Sequence, residues 1–335
     1  MTAADARPVF HLPARDIPVP SSISEQAQAM LAMGPLMPDA EYPPLDDPGA
    51  WRTMIAERES AVLAMLTAAR PGAADAEPLA AQVDEIDPGG FPVYVVLPAG
   101  VSPDDRPVYL DIHGGAWIQG GGEVCRAAAL RTAPMYGARV WAVDYRMPPD
   151  HPYPTPLDDC LAAYRRLLEQ RSPAEIIVGG ASAGGNLAAA LILRARDEGL
   201  PLPAAVLLNT PATDLTAAGD TWQTNRGLDT VLTGDSQAAM LLYANGGDLR
   251  DPYISPLFGD LKGFPPTMLT SGTRDRLLSD TVRMHRALRA AGVPAELHVL
   301  EAAGHGRFLG MAPEDHAMAE ETRRFLREHW AATTR

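Results

Sequence analysis

The sequence predicts an α/β protein with a mostly parallel central sheet of about eight strands, flanking helices and a helical cap. Three observations carry that expectation. From residue 107 onward, short apolar runs alternate with helix-sized segments, the pattern of parallel strands joined by crossovers. At Ile176-Ile177-Val178-Gly179-Gly180-Ala181-Ser182-Ala183-Gly184-Gly185-Asn186, a β-branched run stops at two glycines, and a second glycine pair opens an Ala/Leu-rich segment. That order reads as strand, sharp turn and helix. Finally, 335 residues with 46% hydrophobic and 21% charged content can bury a core of the size such a sheet needs.

The elements follow in chain order. Residues 1–50 are proline-rich, which argues against long strands, yet Ser24 to Met33 suits a short helix stopped by Gly34-Pro35. A longer helix is expected over 50–70, with Trp51, Met54, Ile55, Val62, Met65 and Leu66 as its apolar stripe. The methionines there suit either gap filling or an adaptable cover over an apolar ligand. Residues 81–86 and 91–97 are strands around Asp87-Pro88-Gly89-Gly90, a hairpin or an offset antiparallel pair. A strand at 107–112 runs into His113-Gly114-Gly115-Ala116-Trp117. A helix near 123–135, a strand at 138–143 and a helix at 156–171 lead to the strand at 175–179. Downstream come a buried strand at 204–209 and an irregular or capping insertion to about 260. Strands at 267–271 and 295–300 then flank a helix at 279–291, and a last helix spans 313–330. The organisation expected is therefore a cap contribution from 1–80, core from 81–211, a cap and pocket insertion over 212–260, and core again from 261–335.

A net charge of −14 favours solubility and argues against nucleic acid as the main partner. No apolar run is long enough to span a bilayer, so no stable membrane insertion is expected. Met1 to Pro8 lacks a basic stretch followed by an apolar core, so no secretory signal is read and a cytoplasmic location is expected. Cys125 and Cys160 have neither disulfide-framework nor zinc-type spacing and read as buried or semi-buried free thiols.

Gly180-Ala181-Ser182-Ala183-Gly184 fits the G-x-S-x-G elbow, in which a strained strand-to-helix turn lifts a serine hydroxyl clear of the sheet. On its own the stretch also fits an ordinary glycine-rich turn. His113-Gly114-Gly115-Ala116 follows a strand and could aim backbone N–H groups at the same place, or simply be a turn that His113 fastens. A serine nucleophile needs a base and a group that orients the base. His305 lies between glycines just past the last strand, and Asp275 just past the one before it. His298 alternates within a strand, His285 is helical, and His316 and His329 belong to the terminal helical region. Asp280, the rival acid, stands where a helix-capping residue would.

Taken together, these motifs resemble the bacterial hormone-sensitive-lipase-like carboxylesterases of the α/β-hydrolase superfamily. The resemblance rests on His113-Gly114-Gly115, Asp144-Tyr145-Arg146-Met147-Pro148-Pro149-Asp150-His151-Pro152-Tyr153-Pro154, the serine elbow, Asp251-Pro252 with Ser255-Pro256-Leu257, Asp275, and His305-Gly306-Arg307-Phe308. The order Ser182, Asp275, His305 is that of the superfamily. The resemblance implies Ser182 as nucleophile, His305 as general base and Asp275 as its orienter. It implies an oxyanion hole from the N–H groups of Gly115, Ala116 and Ala183, with His113 and Gly114 supporting the loop. Ala116 replaces a third glycine and Ala181 an acid common before the serine. Trp117, Leu215, Trp222, Leu228 and Leu257 are candidates for the substrate pocket. The implied reaction is hydrolysis of small to medium neutral esters through an acyl-enzyme, with ester and water as partners and no metal or organic cofactor. His113-Gly114-Gly115-Ala116-Trp117 also resembles the corresponding stretch of aryl formamidases, which keeps lactone, formamide and small-amide hydrolysis open. A non-catalytic binding role is the remaining alternative, and a homodimer through the terminal helix or an edge strand suits the resemblance.

Overall fold

A computed structural model describes residues 9–35, 41–67 and 81–330. The reading of Met1 to Pro8 as lacking a signal, and the last residues of the helix expected over 50–70, lie outside them.

Two helices come first, α1 (Glu25–Ala32) and α2 (Pro48–Thr67). The core then runs β1 (Ala81–Ile86), β2 (Val93–Pro98), β3 (Val108–Ile112), α3 (Glu123–Tyr136), β4 (Arg139–Val143), α4 (Thr155–Leu168), β5 (Ile176–Ala181), α5 (Ala183–Asp197) and β6 (Ala205–Asn209). After α6 (Thr221–Thr224) and α7 (Gln237–Ala244) it closes with β7 (Thr267–Gly272), α8 (Leu278–Ala290), β8 (Ala295–Leu300) and α9 (Pro313–His329). The eight strands form one sheet in the order β1-β2-β4-β3-β5-β6-β7-β8. β1 and β2 are an antiparallel hairpin, with Ala81 opposite Pro98 and Ile86 opposite Val93. β2 also meets β4 antiparallel, whereas the remaining neighbours are parallel.

Alternation along the strands sends side chains to opposite faces. Val108, Leu110, Val178 and Leu208 enter a core shared with α4, α5 and α8, while Tyr109, Ile177, Leu207 and Met268 pack against α3 and α9. After β3 the chain steps outward to β4 and then crosses back to β5. That reversal opens a crevice beyond the carboxyl ends of β3 and β5, where ligands of open α/β sheets bind.

The N-terminal helices pack onto the loops at this edge. Ile23, Ala27 and Met30 join Ala302, Ala303, Phe308 and Ala312 in a small apolar cluster. Ser24 fastens it, donating from its N–H and hydroxyl to the Glu314 carboxylate, both at 2.7 Å. In α2 only Trp51 is fully buried, against Ile118 and Ala239, and Met65 stays exposed. The expected stripe is thus mostly a half-covered outer surface, because α2 lies outside the sheet layers and touches chiefly α3 and the loop after β3. Between residues 212 and 260 the backbone is largely turns. The buried Asn186 amide anchors both ends of that stretch, donating to Ala212 O at 2.8 Å and Ile254 O at 2.9 Å.

Candidate active site

Ser182 sits between β5 and α5 with φ 57° and ψ −119°, a conformation that strains any side-chain-bearing residue. Close packing holds it there. A Cβ on Gly184 would stand 1.9 Å from Ile112 O, and one on Gly180 would stand 2.5 Å from the backbone of both Gly184 and Ile112. Glycine alone lets the elbow press against the end of β3.

The loop after β3 meets the elbow directly: a Cβ on Gly114 would lie 2.9 Å from Ala181 O and 3.4 Å from Ser182 Cβ. Gly115, Ala116 and Trp117 all have positive φ, and Gly115 O accepts from Ile118 N and Gln119 N. Among the described residues no hydrogen bond uses the N–H of Gly115, Ala116 or Ala183. For Ala183 this follows from its place at the first helical position. His113 fastens the loop, its Nδ1 lying 2.7 Å from Gly114 O and its ring stacked 4.1 Å from that of Tyr145. The Tyr145 hydroxyl donates in turn to His113 O at 2.9 Å. Burial holds the His113 imidazole well below its usual range, at about 4, so it is neutral.

Asp275 and His305 occupy loops past the carboxyl ends of β7 and β8, on the edge from which Ser182 emerges. His305 Nδ1 lies 3.2 Å from Asp275 Oδ1. Asp275 is fully buried, and it also accepts from Leu277 N at 2.9 Å and from the Ser271 hydroxyl at 2.7 Å. The two loops interlock through Arg274 N donating to Ala303 O at 2.9 Å and Ala302 N donating to the Thr273 hydroxyl at 2.7 Å. Burial by itself would hold His305 neutral. The charge and hydrogen bond of Asp275, with the charge of Asp229, outweigh it and raise the imidazole above its ordinary value.

Asp229 escaped the sequence reading, being a lone acid in an irregular stretch with no motif around it. It is 1% exposed and accepts from Val231 N at 2.9 Å, Leu232 N at 3.1 Å, Arg276 N at 3.0 Å and His305 N at 3.2 Å. One carboxylate thereby pins the loops of both Asp275 and His305 to the 212–260 stretch. The side-chain amide of Asn225 adds a bond to Asp275 O at 2.8 Å.

Asp280 is not the cap of its own helix. It lies inside α8, fully buried, and its Oδ2 accepts from Asp214 N at 3.1 Å. Burial, with the charge of Asp214 adding, pushes its carboxyl up to about 8. The pocket candidates scatter. Trp117 is buried and stacked 4.9 Å from Tyr243, Leu215 and Trp222 are buried in the main core, and Leu228 and Leu257 are half-buried. Arg276 lies over the Trp222 ring and donates to its carbonyl, a structural role. None of the five lines the two cavities beside α2. One of these, ≈ 580 Å³, lies between α2 and the 144–150 loop, and the other, ≈ 210 Å³, lies behind the His113 loop. Both cysteines are buried and unpaired, as expected.

Residues 109–309 match the family described as alpha/beta hydrolase fold. Among characterised relatives, an acetyl-hydrolase of Streptomyces hygroscopicus is 36% identical over 57% of this chain and 64% of its own length. The chain spans a little under two thirds of the first curated relatives it matches, 64% and 61%. Among solved structures, esterase E25 superposes with a TM-score of 0.85 at 36% identity, covering 96% of this chain and 99% of its own. An esterase from the bacterial hormone-sensitive lipase family superposes with a TM-score of 0.75 at 30% identity, covering 92% of this chain and 99% of its own. The motif order, the sheet and these matches agree: the chain belongs to the α/β-hydrolase fold family, in its hormone-sensitive-lipase-like carboxylesterase branch.

Proposed function

We propose that the protein is a serine carboxylesterase that hydrolyses small to medium neutral esters through an acyl-enzyme. One observation carries the reading. A buried Asp275–His305 pair shares an edge with a strained serine elbow, against which packs a loop with unused N–H groups. In this reading the Ser182 hydroxyl attacks the ester carbonyl while His305 takes its proton, and Asp275 fixes the imidazole tautomer and stabilises its charged form. The N–H groups of Gly115, Ala116 and Ala183 meet the developing oxyanion, each well-aimed donor contributing about 10² to 10³ in rate. His305 then protonates the leaving alcohol, and water repeats the sequence on the acyl-enzyme. The helices of 1–80 and the insertion of 212–260 act as the cap. The acetyl-hydrolase relative supports a preference for short acyl groups. Cytoplasmic residence and homodimerisation belong to the same proposal, to be read by fractionation and native mass. No helix among the described residues is long and apolar enough to cross a membrane.

The test is a serine-directed phosphonate together with a panel of p-nitrophenyl esters, lactones and N-formyl arylamines. Wild type should be labelled once and turn over the esters fastest. Ser182→Ala should keep the fold, lose the label and lose turnover by about 10³-fold or more. Near-normal ester turnover in that variant refutes the assignment, and faster lactone or formamide turnover in the wild type replaces the substrate class.

A further inference from the structure

Behind the loop after β3, three side chains from three elements converge: His113, Cys125 on α3 and Asp144 just past β4. One potential ligand atom from each lies within 4.8 Å of the other two. We propose that these residues form a binding site for a thiophilic divalent cation of the zinc type, behind the loop that His113 fastens and apart from Ser182, Asp275 and His305.

The imidazole is prepared for this role. Its Nδ1–H donates to Gly114 O, which leaves Nε2 as the lone-pair nitrogen, and Nε2 is buried with no hydrogen-bond partner among the described residues. A ring nitrogen committed to a backbone carbonyl while the other is free is the arrangement metal-ligating histidines adopt. The Asp144 carboxylate is oriented from outside the cluster by Gly122 N, at 3.0 Å to each oxygen, and by the Tyr94 hydroxyl at 3.3 Å. A carboxylate has lone pairs beyond those three contacts.

Among the described residues no lysine or arginine forms an ion pair with any of the three. The cluster stands between two cavities, His113 lining the one of ≈ 210 Å³ and Asp144 the one of ≈ 580 Å³. Zinc bonds of about 2.0–2.3 Å to nitrogen, oxygen and sulfur require the three ligand atoms to draw in by about an ångström or less. Binding replaces the Cys125 thiol proton with a metal–sulfur bond, and that proton leaves to solvent. The ion would then tie the loop after β3 to α3 and β4.

The test uses the full-length protein and the metal alone. Cadmium titration should give one thiolate-to-metal charge-transfer band per chain, saturating at one equivalent. The band should persist in Cys160→Ser and vanish in Cys125→Ser, whose ester turnover without metal should equal wild type. Zinc should raise the Tm of wild type and not of Cys125→Ser. X-ray absorption of the zinc-loaded wild type supplies a check that needs no variant, and should find one sulfur among nitrogen and oxygen ligands. A sulfur-free shell, a band that survives in Cys125→Ser, or the absence of stoichiometric binding overturns the proposal and leaves the esterase assignment untouched.

Discussion

Asp229 shows how a residue outside the expected trio can set the reactivity of one inside it. His305 must be neutral to accept the serine proton, so in the proposed mechanism kcat/KM falls as pH drops through its pKa. The charges of Asp275 and Asp229 put that fall above the ordinary imidazole value of 6.5. Asp229→Asn removes one of these charges and should move the acid limb of the kcat/KM profile to lower pH, with a stability loss of about 1–3 kcal/mol from a disturbed buried acceptor. An unchanged limb in a folded variant would reduce Asp229 to a loop anchor. Asp280 behaves oppositely. Its folded carboxyl keeps its proton to about 8, far above the unfolded value of 3.8, so ionising it costs the native state stability as pH rises between the two. Asp280→Asn keeps an acceptor for Asp214 N without the charge. Urea denaturation should find its advantage over wild type growing as pH rises from about 4 to about 8 and levelling off above that. The placement of Ser182, Asp275 and His305 at one sheet edge was legible because each follows a strand-like run and sits among glycines or at a chain-order position the superfamily shares. Asp229 was not, because its partners are backbone N–H groups from three separate loops, which leave no trace in side-chain pattern.

At the level of elements, the elbow is shaped by what β5 and α5 cannot accommodate. Gly184→Ala would thrust a methyl into Ile112 O and His113 O, at 1.9 and 2.5 Å. The cost expected is about 1–3 kcal/mol, with loss of ester turnover as the loop after β3 is pushed away. Gly89→Ala, whose Cβ would meet only an ordinary 3.6 Å contact with Phe91, serves as the control and should be silent in both denaturation and turnover assays. The strands were legible because buried parallel strands read as unbroken apolar runs, β-branched in Ile176-Ile177-Val178 and Leu-rich in Ala205-Val206-Leu207-Leu208, and both runs are fully buried. Residues 212–260 were not resolved beyond an insertion. Their order comes from Asx-type turns such as those of Asp214, Asp235, Asp248 and Asp251, each accepting from a backbone N–H two residues on.

For the whole molecule, α2, part of the proposed cap, meets the loop after β3 through one fully buried side chain. Trp51 is fully buried between Ile118 and Ala239, stacks 5.4 Å from Tyr42 and donates from its indole to Pro44 O at 2.9 Å. Trp51→Ala should free α2 from the loop after β3. Across p-nitrophenyl esters of increasing acyl length, wild type should favour short chains and the variant should show a raised KM and a flatter profile. Phosphonate labelling of Ser182 should persist. An unaltered chain-length profile would mean that α2 does not shape the site.

The order of the strands also governs when the chain becomes competent during its own synthesis. Ser182 and the loop bearing Gly115 leave the ribosome with β3 to β5, while the proposed base and its orienter arrive on the loops after β8 and β7, the last two strands among the described residues. Ser24 must wait longer still, since Glu314 lies 290 residues further on. In the proposed mechanism a nascent or truncated product ending before residue 305 would carry the Ser182 hydroxyl without its base, so hydrolysis would begin only once the loop after β8 has been made.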